Sequence, residues 1–252
     1  MQNDQNKSSL GRPFLRFAVG VMIPFRAVKV VFIHPGLWPA CLFPWLISGA
    51  LGWFLITQAI ALAGTWIASG VVLAGLSATG WIATLFQWLT IGASWILGGL
   101  LVVWLSALLS VPFADWLAEL AEPYSTPPLP PATQLRGWWS RAHWRRLKLD
   151  LWKTVAGLIL SAAGLLLSAI PFLGVIGPLV LALGFTLQFV SYPQTRREEG
   201  LGASLVFLLR HLPLSLGFGL VLLAGFAIPF FAAFLLPFAV VGGTLLYAEA
   251  RR

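Results

Sequence analysis

The sequence predicts an all-α integral membrane protein with two long transmembrane helices and two proline-broken, re-entrant helical hairpins. Three observations predict it. Hydrophobic residues make up 59% of the 252-residue chain and charged residues only 10%, where an ordinary soluble domain carries about 25% charged residues. The blocks 35–114, 154–195 and 212–248 contain no Asp, Glu, Lys or Arg, and each exceeds the roughly 20 apolar residues that a span needs. An apolar segment is also written twice. Residues 169–185 read AIPFLGVIGPLVLALGF and residues 227–243 read AIPFFAAFLLPFAVVGG, each with a second proline seven or eight residues after the first.

The first residues, MQNDQNKSSLGRPFLRFAVG, have no basic stretch leading into a short apolar core and cleavage site. The first apolar block is therefore expected to be retained. Residues 1–34 read as a cytoplasmic amphipathic segment, with Arg12, Arg16, Arg26 and Lys29 among apolar neighbours. Phe14, Phe17, Ala18, Val21 and Met22 fall at helical spacing, and Pro24 interrupts the pattern after them. Residues 37–112 hold two spans and a connector. In the first span, about 37–62, Pro39 sits near the start, where a missing N–H costs least, and Pro44 lies deeper, where it should kink or restart the helix. The glycine-rich stretch 63–84 is a connector on the far leaflet or, alternatively, a third span that changes the parity downstream. The second span covers about 85–112, and Trp66, Trp81 and Trp88 mark the outer interface.

Residues 113–153 read as a cytoplasmic loop followed by a basic amphipathic helix. Pro127, Pro128, Pro130 and Pro131 stiffen the loop. Arg136, Arg141, Arg145, Arg146, Lys148 and Lys153 then interleave with Trp138, Trp139, Trp144 and Trp152, a pattern suited to an anionic leaflet. Base stacking is the weaker alternative, because the following residues plunge into the membrane. The net charge of +8 is accordingly read as the basic bias of cytoplasmic segments, with no nucleic-acid partner.

The blocks 154–195 and 212–248 answer why prolines break an apolar repeat. About 17 residues precede Pro171 and about 17 follow Pro178, giving arms of about 25 Å against a hydrocarbon core of about 30 Å. In the second block about 17 residues lead in, and about 11, or roughly 17 Å, follow Pro237. Lys148, Lys153, Arg196 and Arg197 flank the first block, and Arg210, Arg251 and Arg252 flank the second. Basic residues at both ends keep both ends cytoplasmic, so each block turns round at its prolines. Each is a helix–turn–helix hairpin, re-entrant or, since mismatch costs little per ångström, fully spanning. Both termini are then cytoplasmic. Backbone freed at a tip must be covered by protein or face water, so the tips are expected to pack on other elements, another subunit included.

Few residues suggest chemistry. Asp115, Glu119 and Glu122 share a helix face by their spacings of four and three, as a metal or proton site or as a solvated face. No Glu-x-x-His partner exists for a bundle metal site. His34, His143 and His211 lack metal-ligand spacing. Cys41 is the single cysteine, so no internal disulfide forms. Without a nucleophile elbow, P-loop or dinucleotide fingerprint, no enzyme and no cofactor are expected. Arg196, Arg197, Glu198 and Glu199 read as a solvated turn. The anion candidate is the start of the first span, where Pro35-Gly36 ends one segment and a helix begins near Leu37. Arg26 and Lys29 lie two to three turns upstream, to serve that site or to face lipid phosphates.

Several of these stretches, taken in order, resemble one family. They are His34-Pro35-Gly36-Leu37, the apolar run holding Pro44, and Pro112-Phe113-Ala114-Asp115-Trp116-Leu117-Ala118-Glu119. Ile170-Pro171-x-x-Gly174, Tyr192-Pro193 and Ile228-Pro229-Phe230 follow. Together they resemble the CysZ-like sulfate permeases, grouped with the etoposide-induced membrane proteins. The resemblance implies a bacterial inner-membrane protein with two long spanning helices and two partly penetrating hairpins. It implies a homo-oligomer among membrane lipids that takes up sulfate for cysteine synthesis by a channel-like route. Gly36 matches the glycine of the family's anion site and Glu119 its acidic position. The chain departs from the pattern where paired arginines would follow that glycine: Leu37-Trp38-Pro39 stands there. Ser191 replaces an Asp before Tyr192-Pro193. Two functions from different classes follow: a transporter or channel for a small anion, sulfate, and a non-transporting membrane scaffold of the same fold.

Overall fold

The computed structural model describes residues 3–73, 111–132 and 141–252, with isolated helical positions between 81 and 109. The expected second span, the connector beyond Leu73, and Trp138 and Trp139 lie outside the described residues. Among those described, every regular element is an α-helix or a 3-10 turn, and several helices are long and apolar enough to cross a bilayer. The protein is all-α and membrane-embedded.

Helix α1 (Asn3–Ile33) runs unbroken through Pro13 and Pro24, where the sequence suggested an interruption at Pro24. Phe14 and Met22 of the expected amphipathic face are exposed, and the residues that pack on the bundle are Gly20, Ile23, Pro24, Ala27 and Val31. The reason is a close crossing. A Cβ on Gly20 would collide with the Leu214 carbonyl, and one on Gly217 with that of Phe17, so the stripe turns about Gly20. After a 3-10 turn at Pro35–Leu37, helix α2 (Trp38–Leu73) continues through Pro44 and takes in residues 63–73 of the expected connector. Helix α3 (Val111–Ala121) packs on α2, with Phe43 and Phe113 stacked at 4.7 Å.

The first repeat is a hairpin of α4 (Arg141–Ser168) and α5 (Ile176–Thr195). The basic segment and the span thus form one helix, and the 153/154 boundary falls inside it. Small residues set the seam. Cβ atoms added at Gly164, Gly177 and Gly184 would strike Leu181, Ser168 and Ser161 respectively. Gly157 faces Gln188, its Cβ position 3.1 Å from that of Gln188. Such close backbone approach is how helices associate where lipid removes the hydrophobic drive. The turn bonds its own donors: Ala169 to Leu166, Ile170 to Leu167, Leu173 to Ile170, and Ile176 and Gly177 to Leu173. Pro171 sits where no N–H is required, and Pro178 falls in the first turn of α5, where its loss is harmless. The tip itself is apolar and uncovered by the described residues, with Phe172 97% exposed.

The sequence reading missed α6 (Leu201–Arg210), which meets α7 (Leu212–Phe226) at a bend of 99°. The second repeat pairs α7 with α8 (Pro229–Glu249). Its turn is only Ala227–Ile228, and α8 runs through Pro237. The arm counted from Pro237 was therefore too short: α8 has 21 residues, about 31 Å. Pro237 withdraws the donor that would bond the Ala233 carbonyl. The next carbonyl, of Phe234, accepts the Trp45 indole N–H at 3.1 Å. Helix α5 is central, touching α3, α4, α6, α7 and α8, and nearly all of its residues from Leu181 onward are buried.

Candidate functional site

The Gly36 turn is built tightly. The His34 Nδ1 lies 2.9 Å from the Val30 carbonyl, and the Trp38 indole donates to that of Val31 at 3.0 Å. The His34 ring stacks on Tyr124 at 3.8 Å. The Leu37 N–H is bonded to His34 and the Trp38 N–H to Pro35, while Pro35 and Pro39 have none. Few donors therefore remain for an anion. Gly36 is exposed and a Cβ there meets nothing within 4 Å, while Leu37 is buried. Arg26 pairs with Glu249 at 3.5 Å, at the far end of α8, and Lys29 is exposed.

The charges converge instead at one end of the bundle. Arg196, with 8% of its side chain exposed, reaches three carboxylates: Glu119 at 3.0 Å, Glu122 at 3.1 Å and Asp115 at 3.8 Å. An arginine thus sits at the centre of the acidic face of α3, with Asp115 and Glu122 partly covered and Glu119 still 58% exposed to solvent. Of the stretch read as a solvated turn, Glu198 is exposed, while the Arg196 and Arg197 side chains are covered. Burial works against the Arg196 charge, but the Glu119 hydrogen bond and the Asp115 and Glu122 charges outweigh it and hold its pKa above the ordinary value. Arg197 donates to Glu122 at 3.0 Å, to the Pro193 carbonyl at 2.7 Å and to Pro130 of the proline-rich loop at 2.8 Å. Glu199 accepts from Tyr247 at 2.5 Å and Arg251 at 2.9 Å, and Glu198 pairs with Arg145 at 3.3 Å. Both ends of the first hairpin and the end of the second therefore meet at one level. The motif residues Glu119, Tyr192 and Pro193 belong to this end, with Tyr192 fully buried. Pro171, Gly174 and Pro229 lie at the two tips.

A buried polar cluster adjoins these charges. Asp150, Lys153 and Thr154 of α4 and Gln188, Ser191, Gln194 and Thr195 of α5 are each no more than 1% exposed. The seam register pairs Gly157 with Gln188 and Ser161 with Gly184. Continued downward, it sets Thr154 opposite Ser191 and Asp150 opposite Thr195. Lys153 Nζ and both amide atoms of Gln188 have no hydrogen-bond partner among the described residues, while Thr195 lies against the Asp150 carboxyl and Thr154 against the Tyr192 hydroxyl. Sequence reasoning used Lys153 only as a topological marker. The signal available was its spacing from Asp150, three residues along one helix face.

No curated protein matches this chain. Residues 23–237 match the family described as sulfate transporter CysZ/etoposide-induced protein 2.4. That match covers the first hairpin, the second as far as Pro237 within α8, and the Arg196 cluster with its three carboxylates, and the chain belongs to this family of sulfate-transporter-like membrane proteins.

Proposed function

We propose that this protein conducts a small inorganic anion, sulfate, across the bacterial inner membrane. The family match over residues 23–237 carries the reading. Buried cationic and donor groups on α4 and α5 support it, because a permeating oxyanion needs groups that replace its water. Flux runs down a gradient, since no nucleotide-binding motif accompanies the spans. The protein works as a homo-oligomer, in which a second copy or lipid covers the apolar tip at Phe172. The hairpins enter from the cytoplasm, both termini lie there, and the short α7, 15 residues or about 22 Å, supports incomplete crossing by the second.

A second reading, a scaffold without flux, is favoured by the Gly36 turn. Leu37-Trp38-Pro39 offers no fixed charge there, and its donors are engaged. Thermal unfolding of the purified protein separates the two. Sodium sulfate, compared with sodium chloride at equal ionic strength, should raise the unfolding temperature of a sulfate carrier through binding to the native state. Identical curves would favour the scaffold.

A further inference from the structure

We propose that Lys153 is the fixed positive charge at which the transported oxyanion is held, in a station on the charged side of the α4–α5 seam. The inference rests on the anion-transport reading and adds its binding residue. Lys153 is fully buried, and its ammonium has neither a hydrogen bond nor an ion pair among the described residues. The Arg196 and Arg197 guanidiniums differ, because they are held by Glu119 and Glu122, and the buried Arg146 faces the Asp150 and Glu198 charges. An ammonium buried without a partner costs far more than any single contact returns. Ionisable groups inside a span are therefore a sign of an ion path.

The surroundings suit an oxyanion. Lys153 offers three N–H donors, and none of them is bonded within the described residues. A helical side chain leans toward the N-terminus of its own helix, which points Lys153 toward the charged end. Asp150 and Glu199 are the carboxylates whose charge reaches it, and neither bonds it. The Arg146 charge acts on Asp150 and Arg251 pairs with Glu199, which leaves a modest net field from which an anion can also leave. Deeper in, Gly157 against Gln188 closes the seam. The station is thus loaded from the Arg145–Glu198 end, about 12 Å along α4 from Arg145.

The test is equilibrium binding of radiolabelled sulfate to the full-length protein in nanodiscs, with proteoliposome flux measured on the same preparations. Lys153→Met should weaken sulfate binding at least about tenfold, while its unfolding temperature without sulfate stays equal or rises, because a buried charge has gone. Lys153→Arg should retain binding. If Lys153 serves only as a structural partner of Asp150, Lys153→Met lowers the unfolding temperature, Asp150→Asn restores it, and sulfate binding is unchanged; that result overturns the station. Wild-type flux with undiminished flux and binding in Lys153→Met removes the station and leaves the transport reading standing. Wild-type binding lost in Lys153→Met, without wild-type flux, does the reverse. A wild type that neither binds nor carries sulfate ends both.

Discussion

Arg196 shows how much one side chain can join. It holds three carboxylates of α3 and its following turn to the end of α5. Arg196→Gln should destabilise the protein by about 1–3 kcal/mol, because it removes charge-assisted bonds to the partly covered Asp115 and Glu122 and leaves Glu122 with Arg197 alone. Arg196→Lys should recover only part, since a point charge cannot reproduce the planar fork; thermal unfolding in one detergent measures both. His211, at the α6–α7 bend, carries a different test. Burial and the nearby Arg16 and Arg210 charges lower its pKa from 6.5. The unfolded chain therefore takes up this proton first as pH falls, and stability present above about pH 6.5 declines below it. Protonation also removes the Nδ1 lone pair that faces Arg16 at 3.5 Å. The wild-type unfolding temperature should fall more than that of His211→Gln between about pH 7.5 and pH 5.5; parallel curves would contradict this. At this scale the sequence showed half of the site. The spacing of Asp115, Glu119 and Glu122 put them on one face, but their partner lies more than seventy residues away, and no local pattern reports such a pairing.

Among the elements, the hairpins owe their shape to the seam more than to the turn. Gly184→Val would drive its side chain into Ser161 and the Gly157 carbonyl and should cost about 1–3 kcal/mol. Pro171→Ala changes an exposed position in a turn whose donors are already bonded and should stay within about 0.5 kcal/mol. If the two unfold alike, the prolines hold the hairpins. Two proline-broken hairpins were legible because charge-free blocks with basic flanks permit little else. The arms were less legible. Pro237 reads as a breaker, yet α8 passes through it with a Trp45 donor on the next carbonyl. Helix α6 escaped notice because its ten residues carry a short amphipathic pattern between charged runs, burying only Ser204 and Leu208. The packed stripe of α1 was not legible, because the glycine crossing with α7, a tertiary feature, decides its rotation.

For the whole molecule, the salt bridges at one end fix which segments share a side of the membrane. Arg145 with Glu198, Arg251 with Glu199 and Arg26 with Glu249 join α1, α4, the end of α5 and the C-terminus. In a Cys41→Ala background, Arg252→Cys should resist a membrane-impermeant thiol reagent added outside intact cells and react after lysis. Phe172→Cys, at the first tip, should resist it in both settings if the tip stays within the bilayer; labelling from outside would show a hairpin that crosses fully. The fold at this scale could be read from composition and flanking charge. The proposed Lys153 station could not, since it depends on a helix seam away from the glycine turn that the motif suggested. The central claim is transport, and radiolabelled sulfate uptake into proteoliposomes tests it most directly, with protein-free vesicles as the reference. Protein-dependent uptake competed by other oxyanions is the expected result. Uptake no faster than in protein-free vesicles, from protein shown to be folded, would contradict the account and leave a scaffold of the same fold.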